Sequence, residues 1–138
     1  MKITPTAITI ALLLAHVSVC QAKMDFDAPN CIVESVIVHP EKIVMVVSGE
    51  CSFIVAQGGS SGAIQFSALK MLMDSTTVVI PRRDSANSYK SWDDYCTQAK
   101  ALAGRKAHLQ LNSNSEIIEE GRLVFVSANF ASFYEVKP

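Results

Sequence analysis

The side chains able to do chemistry are few and widely spaced. Cysteines stand at 20, 31, 51 and 96, and histidines at 16, 39 and 108. A catalytic nucleophile needs a base within hydrogen-bond reach, and Cys96 with His108 and Asp93 is the one Cys/His/acid set on offer. Cys96 falls on the apolar stripe of a predicted helix, where burial raises the pKa of a thiol and makes it inert. His39 sits in a predicted turn and His108 on the polar side of a predicted strand, positions of ordinary surface residues rather than tuned acids or bases. Cys31, Cys51, Cys96 and His108 follow one another at intervals of 20, 45 and 12 residues, with none of the close pairing that zinc ligands show. Glu116, Glu119 and Glu120 lack the alternating Asp and Asn ligands and the glycine of a calcium loop. Gln57–Gly62 (QGGSSG) fits neither glycine-rich phosphate frame, and no lysine follows Gly62. The expectation is therefore a protein with no catalytic set, no cofactor and no metal.

Export decides how the cysteines are read. Lys2, an apolar run from Ile8 to Val19 and small residues ending at Ala22 have the three-part form of a secretory signal. The run is about a dozen residues where roughly 20 are needed to span a bilayer. Residues 1–22 are thus expected to be a signal peptide, and 23–138 a single exported globular domain, periplasmic or extracellular. Cys20, directly after the apolar run, raises the alternative of a lipidated first residue and an outer-envelope lipoprotein. Val19, where such signals carry a small residue, opposes it. Without residues 1–22 the chain keeps 11 basic and 13 acidic side chains, so no field strong enough to recruit nucleic acid is expected. In an oxidising compartment the three remaining cysteines predict one disulfide and one leftover thiol.

The elements follow from period and punctuation. Cys31–Val38 and Lys42–Val47 are β-branched runs separated by His39-Pro40-Glu41-Lys42, which predicts an antiparallel hairpin. With a three-residue loop Pro40–Lys42, Cys31 would lie opposite Cys51, the leading candidate bridge; either could instead pair with Cys96. Lys23–Asn30 reads as a leader without function, and Cys51–Ala56 as a further strand or the continuation of the second. Ala63–Met73 suits strand and helix equally, Asp74-Ser75 reads as a turn, and Thr76–Ile80 as a strand stopped by Pro81.

Asn87–Gly104 is the helix with the clearest signals. Ser91 with Asp94 makes a capping box, Asp93 and Asp94 favour the positive end of the dipole, and Gly104 supplies the stop. Trp92, Cys96, Ala99 and Ala103 recur on one face. Beyond it, Lys106–Leu111 and Arg122–Ala128 read as strands joined by a polar connection over Asn112–Gly121, and Asn129–Pro138 extends the last strand or packs along an edge. Tyr89, Trp92 and Tyr95 cluster on the helix, and Phe130, Phe133 and Tyr134 at the end of the chain. Such aromatics anchor sugars or protein partners. Tyr89, Trp92, Tyr95, His108 and Tyr134 are the candidate binding residues.

Three strands, a helix and two strands is the order of an OB-type barrel, and over Cys31–Ala128 it resembles the layout of the binding subunits of bacterial secreted toxins. The expected fold is α+β: a small antiparallel barrel or sheet of OB-like order with one main helix packed on it. A general α+β sandwich is the alternative. The expected function is a non-enzymatic exported binding module for a protein or glycan partner. An envelope lipoprotein acting as inhibitor or assembly factor is the second, and a small hydrolase or thiol enzyme the third.

Overall fold

The computed structural model describes residues 23–58, 64–82 and 91–138. Tyr89, and Cys20 with the rest of the expected signal, lie outside them. Five long strands and one short helix follow in the order β1 (Lys23–His39), β2 (Lys42–Gly58), β3 (Ile64–Pro81), α1 (Trp92–Lys100), β4 (Lys106–Glu119) and β5 (Arg122–Glu135). The strands close into a barrel in the order β1-β2-β3-β5-β4. All neighbours are antiparallel except β3 and β5. This is the OB-like order, with the helix after the third strand.

Alternation supplies the core. Phe26 and Ala28 of β1, Ile43, Met45, Val47 and Phe53 of β2, Leu109 and Leu111 of β4, and Ala131 and Phe133 of β5 are buried, while residues between them face out. Phe26 and Phe53 pack edge to face with centroids 5.3 Å apart. The buried Thr76 hydroxyl donates to the Leu123 carbonyl, tying β3 to β5 where their pairing is irregular.

The hairpin is tighter than expected. His39 pairs with Lys42, so Pro40-Glu41 is a two-residue turn, and irregularities between Val33 and Ser35 and between Asp27 and Ile32 shift the register further. Cys31 therefore lies against Gly49 rather than opposite Cys51. A β-carbon at Gly49, whose φ is +136°, would come within 3.2 Å of the Cys31 Cα. Cys31, Cys51 and Cys96 are all free thiols, and the expected bridge is not formed. The first two turn to different neighbouring strands: Cys31 Sγ donates to the Ala107 carbonyl on β4 at 3.4 Å, and Cys51 Sγ to the Met71 carbonyl on β3 at 3.7 Å.

Several expected breaks are instead irregularities inside continuous strands. Lys23–Asn30 is part of β1, Cys51–Ala56 continues β2, and residues 64–73 of the ambiguous Ala63–Met73 stretch join Asp74-Ser75 and Thr76–Ile80 in β3; Ala63 lies outside the described residues. Ser75 keeps a turn-like φ of +53°. Its amide donates to Ser48 Oγ at 2.8 Å and its hydroxyl to Glu34 Oε1 at 2.9 Å, while Ser48 Oγ donates to the other oxygen of Glu34. One carboxylate thus ties three strands together where β1 and β2 are bulged. The polar Asn112–Gly121 stretch is mostly strand, and the connection shrinks to Glu120-Gly121, with φ of +52° and +76°. Two left-handed residues are what a tight hairpin of matching twist requires. The last strand extends to Glu135.

Within Asn87–Gly104, α1 occupies Trp92–Lys100. Ser91 Oγ caps it by accepting from the Asp94 amide at 3.2 Å, and Asp93 and Asp94 fill the first turn. Ala99 and Leu102 are buried against the barrel, with Trp92, Tyr95 and Cys96 half-buried beside them. Turns carry the chain to Gly104, whose amide donates to the Val33 carbonyl at 2.7 Å; the Val33 amide donates to the Arg105 carbonyl at 2.9 Å. β4 thereby enters in register beside β1.

Candidate functional site

Three neighbouring strands present an alternating outward row each. β1 contributes Asp25 and Asp27, β4 contributes His108, Gln110 and Asn112, and β5 contributes Phe130, Ser132 and Tyr134. The ladders set these rows side by side: Asp25 pairs with Asn112, Asp27 with Gln110, His108 with Tyr134, Gln110 with Ser132 and Asn112 with Phe130. The residues between them, Phe26, Leu109, Leu111, Ala131 and Phe133, point into the core. Burial of one face therefore fixes the other.

His108 is the centre of this surface. Its Nε2 lies 2.7 Å from Asp27 Oδ1 and its Nδ1 lies 2.7 Å from the Tyr134 hydroxyl. The two rings are tilted, with centroids 5.1 Å apart. With the neutral imidazole protonated on Nε2, it donates to Asp27 and accepts from Tyr134, a tautomer fixed by its two partners. Four residues further along β4, Asn112 Nδ2 donates to Asp25 Oδ1 at 3.0 Å, and Asn129 Nδ2 donates to Asn112 Oδ1 at 3.0 Å. The polar side chains are thus held in place, whereas Phe130 and Tyr134 leave 59% and 52% of their surface open. Four residues apart on one strand, their backbone positions are separated by about 13 Å.

Of the residues expected from sequence, His108 and Tyr134 meet here. Trp92 and Tyr95 do not. Trp92 is half-buried against the core, with the Arg82 guanidinium 5.9 Å from its ring centre. Tyr95 packs at a tilt against Phe133, centroids 5.8 Å apart, and donates its hydroxyl to the Ala131 carbonyl at 3.2 Å, while Gln98 Nε2 donates to the Phe133 carbonyl at 2.6 Å. These two helical side chains cover the edge of β5 beyond Ser127, the last residue it pairs with β3. Asp27 was hidden in a stretch read as a functionless leader. Its signal was available in the Asp25-Phe26-Asp27-Ala28 alternation of polar and apolar residues.

The thiols are poor nucleophiles. Burial pushes Cys31 up to about 11 and Cys51 up to about 12, the nearby Cys31 adding to the latter. Cys96 is also raised, chiefly by desolvation and then by Asp93, against the opposing pull of Lys100 and Arg82. His108 is not turned to Cys96 and Asp93, since its two nitrogens are engaged by Asp27 and Tyr134. Among the described residues, no three His, Cys, Asp or Glu side chains are grouped to hold a metal ion. No protein-family model matches the chain, and no curated protein or solved structure is significantly similar to it.

Proposed function

We propose that the protein is an exported, non-enzymatic binding module that recognises a glycan through the outer face of β1, β4 and β5. The observation that carries this reading is an imidazole fixed between Asp27 and Tyr134 beside two open aromatic rings. Aromatic faces stack on the C–H faces of sugars, and positioned carboxylates, amides and hydroxyls bond sugar hydroxyls. All these groups stand on barrel strands rather than on loops, so little order is lost on binding. The span from Phe130 to Tyr134 suits a short oligosaccharide better than a single ring. Export rests on the signal-like residues 1–22.

Binding across a glycan array tests the reading, with Tyr134→Ala and Phe130→Ala as controls. Wild type is expected to retain an oligosaccharide that each variant holds at least about tenfold more weakly, at unchanged thermal stability. Absence of any glycan ligand, or one indifferent to both substitutions, would overturn it. A protein bound through the same residues would favour the protein-partner alternative. The lipoprotein alternative is decided by intact mass of the exported chain, which begins at a lipid-modified Cys20 in that case and at Lys23 otherwise.

A further inference from the structure

The outer face continues past β1. Beyond Asp27 the surface drops into an open cleft of about 630 Å³, within the size range of small-molecule sites. It lies where β1 and β2 lose their pairing between Asp27 and Ile32, so that Pro29 and Asn30 stand away from the ladder and form one wall. The opposite wall is made by Glu50 and Ser52 of β2 and by Lys70 and Leu72 of β3. Asp27 borders both this cleft and the His108 site.

The cleft carries opposite charges that do not satisfy each other. Ser52 pairs with Lys70 and Glu50 with Leu72, which makes Glu50 and Lys70 diagonal neighbours, about 7–8 Å apart. Both are exposed, and neither forms an ion pair or a hydrogen bond through its side chain among the described residues. Leu72, 48% exposed, supplies an apolar surface beside them. A ligand bridging the two charges would gain a charge-assisted hydrogen bond at each end and bury little that is unsatisfied. A neutral sugar would gain neither, and a singly charged one only one.

Resting on the glycan reading of the outer face, we infer that this cleft is the end of the same trough and takes a zwitterionic sugar. One pyranose would present a protonated amine to Glu50 and a carboxylate to Lys70, its ring lying against Leu72.

Four monosaccharides on one ring scaffold test this by chemical-shift titration of the exported chain. Muramic acid carries both charges, glucosamine only the amine, N-acetylmuramic acid only the carboxylate and N-acetylglucosamine neither. Muramic acid is expected to bind about tenfold more tightly than either singly charged sugar. Glu50→Gln should erase the gain from the amine, and Lys70→Met the gain from the carboxylate, each leaving the other. Equal affinities for the four sugars, no binding of muramic acid, or a gain that survives both substitutions would overturn the inference. Loss of a glycan in Tyr134→Ala, beside equal affinities for the four monosaccharides, would leave the outer-face reading standing and remove only the cleft. A muramic acid gain dependent on Glu50 and Lys70, beside glycan binding indifferent to Tyr134 and Phe130, would keep the cleft and remove the outer face.

Discussion

Asp27 and His108 stand 81 positions apart in the chain and meet at 2.7 Å across the β1–β4 ladder, Asp27 Oδ1 to His108 Nε2. The pair is partly open to water, with 38% and 21% of the side chains exposed, so it is worth little as a stabilising contact, under about 1 kcal/mol. Its effect is orientation. Asp27→Asn should change the unfolding free energy by less than that and release the preference for a proton on Nε2. Nitrogen-15 spectra of the imidazole should show the wild type as one tautomer and the variant as a mixture. A wild-type mixture would mean that Asp27 does not position the ring.

Gly49 is required by geometry rather than by tolerance. Its φ of +136° is strained for any other residue, and a β-carbon there meets the Cys31 backbone at 3.2 Å. Gly49→Ala is expected to destabilise by about 1–3 kcal/mol. Gly104→Ala is the control: φ is +79° but nothing lies within 4 Å of the new carbon, so only the backbone term of about 1 kcal/mol applies. Urea denaturation of the two variants side by side checks the order.

The buried thiols make stability depend on alkaline pH. Cys31 and Cys51 ionise near 9.0 when unfolded, and at about 11 and about 12 in the folded chain. Below pH 9 both states keep these protons and the thiols add no pH dependence. Above it the unfolded chain releases them first, so their contribution to stability falls as pH rises through 11 to 12. A Cys31→Ala, Cys51→Ala double variant should lose stability less steeply than wild type between pH 9 and 11. Equal slopes would place the ionisation elsewhere. At neutral pH, iodoacetamide should label the half-buried Cys96 of the native chain before the other two.

Tyr95 supports the barrel edge through its hydroxyl. The bond to the Ala131 carbonyl occupies an acceptor on β5 past the end of the β3 pairing. Tyr95→Phe keeps the tilted ring contact with Phe133 and removes only this bond, so a loss of about 0.5–1.5 kcal/mol is expected in chemical denaturation. A neutral result would mean that water replaces the hydroxyl without penalty.

The sequence by itself determined that its alternating runs are strands, because period-2 alternation and β-branched residues carry that information locally. It also determined the helix cap at Ser91, the order of three strands, helix and two strands, and the hairpin that joins the runs on either side of Pro40. What it could not determine was the register, since a one-residue change in the Pro40 turn and bulges near Asp27, Val33 and Gly49 move every cross-strand partner. Only the closed barrel decided that Cys31 and Cys51 turn to different strands. Only closure brought Asp27 of the first strand beside His108 of the fourth. A local pattern places a side chain on a face, but contacts between distant strands are set by the sum of turns and bulges around the barrel, and that sum is a property of the tertiary structure.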